Sequence, residues 1–67
     1  MEIVIEGVNK RGKFTTVAID RFLFGLLTIK KRGKENAQEF IKDYISTALN
    51  LDGETLQRFL YREVTKP

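Results

Sequence analysis

Glu35, Glu39 and Asp43 stand four residues apart, so a helix brings three carboxylates onto one stripe. Such a stripe could serve general acid–base chemistry or hold a cation. The same spacing describes a solvated helix face, and Lys42 lies beside it. The chain has no histidine and no cysteine, and Ser46 is its single serine. No nucleophile therefore has an adjacent base to activate it, and the ordinary zinc ligands are missing. An enzyme is not expected, and no metal or cofactor is implied.

Gly7-Val8-Asn9-Lys10-Arg11-Gly12-Lys13 has the glycine and lysine spacing of a phosphate-cradling P-loop. The next residue is Phe14, so the hydroxyl that would hold magnesium is missing, and the chain continues as a strand where that loop requires a helix. The phosphate chemistry points elsewhere. Lys-Arg-Gly-Lys occurs at Lys10–Lys13 and again at Lys31–Lys34, on either side of a largely apolar stretch. From Asn9 to Lys34 there are eight bases (Lys10, Arg11, Lys13, Arg21, Lys30, Lys31, Arg32, Lys34) against Asp20 alone, a local charge of +7 in a chain whose total is +3. Both flanks are net acidic. Charge concentrated in this way is the footprint of a polyanion site, nucleic acid before membrane surface. A solubilising role for the two turns is the plain alternative.

What must position these residues is a single domain of 67 residues, too short to bury a large core. Disulfides and structural zinc are both excluded, so self-association is the stabiliser left, and five Phe and two Tyr supply area for a homodimer. Lack of cysteine fits a reducing cytoplasm. Met1 is followed by Glu2 and an alternating run, which does not read as a signal peptide, and the apolar block Phe22 to Ile29 is far shorter than the roughly 20 residues that span a bilayer.

Met1, Ile3 and Ile5 alternate with Glu2 and Glu6, the period of a half-buried strand. Asn9-Lys10-Arg11-Gly12 is a turn signal, and Phe14 to Ile19 reads as a second strand, so residues 1–19 form a strand or hairpin. A helix follows with Asp20 as its cap, Phe22, Leu26 and Ile29 on one face, Leu23 and Leu27 on the next, Lys30, Lys31 and Arg32 in its last turn and Gly33 as its left-handed stop. Asn36 with Glu39 resembles a capping box opening a second helix, on which Ala37, Phe40, Ile41, Tyr44, Ile45, Ala48 and Leu49 keep helical spacing. Residues 20–50 are thus a two-helix core. Residues 51–67 are a third helix capped by Asp52, with Leu51 stapled to Leu56 and an apolar face of Leu56, Phe59, Leu60 and Val64. The fold class is α+β, a short strand or hairpin and then two to three helices.

Thr15-Thr16-Val17-Ala18-Ile19-Asp20, then Leu23 and Leu27, the basic turn with Gly33, and Ala37, Phe40, Ile41 and Ile45 resemble ribbon-helix-helix DNA-binding domains of the Arc and CopG type. The likeness covers roughly residues 13–50 and is one of apolar spacing. It implies a homodimer whose paired strands enter the major groove of double-stranded DNA, as β-ribbons do. By that resemblance Lys13, Thr15, Thr16 and Ala18 contact bases. Lys10, Arg11, Lys31, Arg32 and Lys34 contact phosphates, with Asn36 at a helix N-terminus that favours an anion. If Thr15, Val17 and Ile19 face the core, the outward set is Phe14, Thr16 and Ala18. The strand Met1 to Val8 is additional to the family pattern. Proteins of this kind are transcriptional repressors, antitoxins or plasmid and conjugation accessory factors. Two other readings stand beside it: a protein-interaction module using Phe59, Leu60 and Tyr61 of the third helix, and a monomeric RNA binder using Lys13 and Phe14.

Overall fold

Alternation of apolar and polar residues through the first 20 positions produces two strands, β1 (Glu2–Val8) and β2 (Phe14–Asp20), paired antiparallel with Glu2 opposite Asp20 and Val8 opposite Phe14. The computed structural model describes residues 1–49 and 51–66. Asn50 and Pro67, which close the segments expected as the two-helix core and the third helix, lie outside the described residues. The period of two puts Ile3, Ile5 and Gly7 with Thr15, Val17 and Ile19 on the face that meets the helices. Gly7 packs closely there, since a Cβ would lie 3.0 Å from Ile45 Cδ1 and the Ile45 side chain would have to give by a few tenths of an ångström.

Three helices follow: α1 (Arg21–Lys31), α2 (Lys34–Ser46) and α3 (Gly53–Thr65). The molecule is therefore a small α+β fold, a two-stranded antiparallel sheet followed by three helices. Its core is one cluster: Ile5, Val17 and Ile19 from the sheet, Leu23, Phe24 and Leu27 from α1, Ala37, Ile41 and Ile45 from α2, and Leu56 and Leu60 from α3. Burial of this apolar surface is the main force holding the elements together. Phe40, Tyr44 and Phe59 add an aromatic stack between α2 and α3, with Phe59 centred 3.9 Å from Tyr44 and 5.7 Å from Phe40.

Of the two apolar faces that the sequence offers on α1, the structure turns the Leu23 and Leu27 face inward. Leu23, Phe24 and Leu27 are buried, while Phe22 and Ile29 are 75% and 77% exposed and Leu26 is 36% exposed. The cause is the junction with β2. No loop residue separates Asp20 from Arg21, so the phase of the helix follows from Ile19, which points into the core. Asp20 caps α1 as expected, its Oδ2 accepting from the Leu23 N–H at 3.1 Å.

The α1–α2 turn is also built one residue differently. α1 ends at Lys31, and Arg32, at φ 63°, takes the left-handed position expected of Gly33. Gly33 N–H donates to Thr28 O at 3.0 Å, the six-to-one bond of a Schellman motif. Gly33 itself sits at φ 153° and ψ 148°, a region essentially closed to other residues. It is the N-cap of α2, so Asn36 lies inside the first turn and no capping box forms. The Asn36 amide instead donates to Lys31 O at 3.0 Å, tying the start of α2 to the end of α1. α3 starts as anticipated, with Asp52 Oδ1 accepting from Thr55 N–H at 2.7 Å and Leu51 half-buried against the core. That hydrogen bond holds the Asp52 carboxyl below the usual carboxylate range.

Candidate nucleic-acid interface

Asn9 organises the first basic motif. Its side-chain Oδ1 accepts from Arg11 N–H at 2.9 Å and Lys13 N–H at 3.1 Å, while its backbone N–H donates to Lys13 O at 2.9 Å. Gly12 N–H closes a turn onto Asn9 O at 2.9 Å, and Gly12 follows at φ 79°, which a glycine adopts without strain. Lys10 N–H donates to Ala48 O at 2.9 Å, anchoring the tip to the segment after α2. The result is a braced hairpin tip presenting Lys10, Arg11 and Lys13, all exposed. Among the described residues no carboxylate pairs with these three cations.

The outward face of the hairpin carries, from tip to base, the cross-strand pairs Val8 and Phe14, Glu6 and Thr16, Val4 and Ala18, and Glu2 and Asp20. Phe14 is 86% exposed beside the cations. Thr16 is exposed, whereas Ala18 is half-buried and lines an open groove of about 570 Å³ between β2 and the start of α3, together with Thr16, Gln57 and Tyr61. Thr15 is half-buried on the opposite, helix-facing side, so it is not grouped with Lys13, Thr16 and Ala18. Glu6 was not among the sequence candidates, yet the register sets it beside Thr16. Only the pairing of the two strands reveals that neighbour. The face is polarised: bases cluster at the tip, and the carboxylates of Glu2 and Asp20 occupy the far end.

The second basic motif stands apart from the first. The hairpin tip is bound to Ala48 beyond the C-terminal end of α2, and Lys34 begins α2, whose 13 residues span roughly 20 Å. Its cations are also not equivalent. Lys31 Nζ lies 2.8 Å from Glu63 Oε2 and 4.1 Å from the centre of the Phe40 ring, and Lys30 Nζ donates to Lys66 O. Lys31 is therefore a strut between α1, α2 and α3, not a free phosphate contact. Asn36 is likewise occupied by Lys31 O. Arg32 and Lys34 stay exposed and unpaired among the described residues. No side chain caps α2, so its first N–H groups and the positive end of its dipole accompany these two cations.

The remaining candidates fall into the fold. Leu60 is fully buried and Phe59 stacks between Phe40 and Tyr44, which leaves Tyr61, 64% exposed, as the outward member of the three α3 residues considered for a protein partner. Glu35, Glu39 and Asp43 lie on the exposed side of α2, and among the described residues no three acidic side chains converge to hold a metal ion. No helix of the described residues is long and apolar enough to cross a membrane. Compared with protein-family models, with curated proteins and with solved structures, the chain matches none.

Proposed function

We propose that this protein binds double-stranded DNA as a homodimer, with the hairpin tip as its principal contact. The observation that carries the reading is the tip itself: three cations, unpaired among the described residues, on a loop that Asn9 braces with two side-chain hydrogen bonds, next to an exposed aromatic ring. A braced loop loses little conformational freedom on binding, so its charge converts efficiently into affinity. Lys10, Arg11 and Lys13 meet phosphates, with Arg32 and Lys34 as a second, separate contact. Thr16 and Glu6 supply a hydroxyl and a carboxylate at the depth where base edges are read, the carboxylate suiting a cytosine amino group. Glu2 and Asp20 at the far end repel the backbone, so the hairpin enters the groove tip first. The order β2, α1, α2 supports the ribbon-helix-helix likeness, with β1 as an added strand, and a regulatory role in transcription or in a plasmid-borne system is the function that likeness suggests. A second reading, single-stranded RNA stacked on Phe14, is favoured by that ring's exposure beside Lys13.

Fluorescence anisotropy with labelled duplex DNA and single-stranded RNA across a salt series tests both. Duplex binding that weakens steeply with salt is expected, and Arg11→Ala with Lys13→Ala should reduce the log–log salt slope by about 2. Thr16→Ala should change preference among sequences. Failure to bind duplex even at low salt overturns the DNA reading, and preference for the single strand that is lost in Phe14→Ala establishes the RNA one.

A further inference from the structure

We propose that the outward stripe of α1, formed by Phe22, Gly25, Leu26 and Ile29, is the surface on which a second copy of this chain docks. This deepens the homodimer half of the reading above and does not depend on its DNA half. The four residues follow helical spacing i, i+3, i+4, i+7 on the side of α1 opposite the core, and no charged residue occurs from Phe22 to Ile29. Phe22 and Ile29, at 75% and 77% exposed, are too apolar to serve as a solvated face. Gly25 is exposed with open space around the position of a Cβ, so a facing helix can approach the backbone there.

A second copy fits this stripe better than it fits the other bare face of the molecule. The outward side of the hairpin exposes Val4, Val8 and Phe14, but Glu2, Glu6 and Asp20 share it without a basic side chain. A copy docked there would cover Glu6, which stands in the middle of the face with no basic side chain opposite it. The α1 stripe is uncharged and self-complementary: across a twofold axis two antiparallel α1 helices set Phe22 against the partner's Ile29, with Gly25 and Leu26 at the axis. The three apolar side chains offer roughly 300 Å² per copy. Counting both copies, these side chains alone bury roughly 600 Å², to which the stem of Arg21 adds, the size of a weak, concentration-dependent contact. Arg21, Lys30 and Arg32 border the stripe, so pairing brings like charges together and salt screens the repulsion. The dimer therefore tightens as salt rises, opposite in sign to binding of a polyanion.

Sedimentation equilibrium of the full chain without nucleic acid, across the micromolar range at low and high salt, decides the matter. A monomer–dimer equilibrium that shifts toward dimer at high salt is expected. Ile29→Glu, and separately Phe22→Gln, should weaken it by more than about tenfold. Far-ultraviolet circular dichroism should stay unchanged, because both side chains are outside the core. A chain that stays monomeric throughout overturns the proposal, as does a dimer indifferent to both variants, which would place the contact elsewhere, such as the open edge of β2. Neither result bears on duplex affinity, which the hairpin-tip variants measure separately.

Discussion

Lys31 and Glu63 meet at 2.8 Å across the gap between α1 and α3, with side chains only 26% and 15% exposed, and the same ammonium sits 4.1 Å above the Phe40 ring of α2. One side chain thus joins all three helices. Exposed ion pairs contribute little, but this one is mostly covered, gains a cation–π contact and lays its aliphatic stem along apolar surface. Lys31→Ala should therefore lower stability by about 1–2 kcal/mol. Lys34→Ala, three residues on and solvated, should change it by less than about 0.5 kcal/mol. Urea denaturation of the two variants makes the comparison, and equal midpoints would remove the structural role assigned to Lys31.

Glu63 makes that contact pH-dependent. The hydrogen bond from Lys31, helped by Lys66 at 3.3 Å, holds the Glu63 carboxyl below its ordinary value of 4.5, against the opposing effect of burial. A folded-state value below the unfolded one means that the unfolded chain binds the proton more readily. The stabilisation is complete above about 4.5 and is lost as pH falls through the lower folded value. Asp52, lowered by the Thr55 backbone N–H, adds a contribution of the same sign. Thermal melts should show the midpoint falling on the acid side of pH 5. Glu63→Gln should flatten that limb while leaving part of the Lys31 hydrogen bond in place. An unchanged acid limb in that variant would show that Glu63 is not linked to folding.

Arg32 occupies a backbone conformation that disfavours a side chain. At φ 63° it pays the left-handed cost that a glycine avoids, roughly 1 kcal/mol. Arg32→Gly should thus stabilise the fold by about that amount, and it should also weaken the proposed DNA binding, since an exposed cation is removed. Opposite signs in a denaturation curve and an anisotropy titration would mark strain retained for binding. A loss of stability would mean that the Arg32 side chain contributes packing that offsets its backbone.

Much of the fold was legible because it rests on local rules. The alternation of Ile3 and Ile5 with glutamates, the Asn9–Gly12 turn and the caps Asp20 and Asp52 are each decided within a few residues, and each formed as read. What failed or stayed open needed tertiary information. The sequence left two apolar faces of α1 open, Phe22 with Leu26 and Ile29 and Leu23 with Leu27, and only the loop-free junction after Ile19 turns the second, with Phe24, inward. The capping-box pattern at Asn36 was displaced because a glycine two residues after α1 starts α2 early. Among the site residues, Lys13 and Lys34 kept the exposure their composition suggested, whereas Lys31 is committed to Glu63, a residue 32 positions away in sequence. Charge counting cannot distinguish a strut from a free cation.

Asn9 couples the stability of the hairpin to the presentation of its charges. Asn9→Ala removes the acceptor shared by Arg11 N–H and Lys13 N–H and should cost about 1–2 kcal/mol, while also loosening the tip. Because all three cations remain, the salt slope of the proposed DNA binding should stay the same while affinity falls, the mark of lost preorganisation instead of lost charge. A reduced slope would show that the tip delivers fewer phosphate contacts and not merely a floppier set.

Gly25 offers a separate reading of α1 from the fold's side. It lies in the helix interior at an exposed position, with nothing within 4 Å of a Cβ, so its lack of a side chain serves no packing need inside the monomer. Glycine there costs helix stability through its freedom in the unfolded chain. Gly25→Ala should raise monomer stability by about 0.5–1 kcal/mol, measured by urea denaturation at concentrations where the monomer dominates. A bulkier Gly25→Gln gains most of the same helix propensity but fills the space at the proposed twofold axis. The two variants should therefore be similarly stable as monomers and differ in self-association, Gln losing the dimer that Ala largely keeps. Equal association by both would mean that no second backbone approaches Gly25, and that whatever covers Phe22 and Ile29 does so without close contact at the centre of the helix.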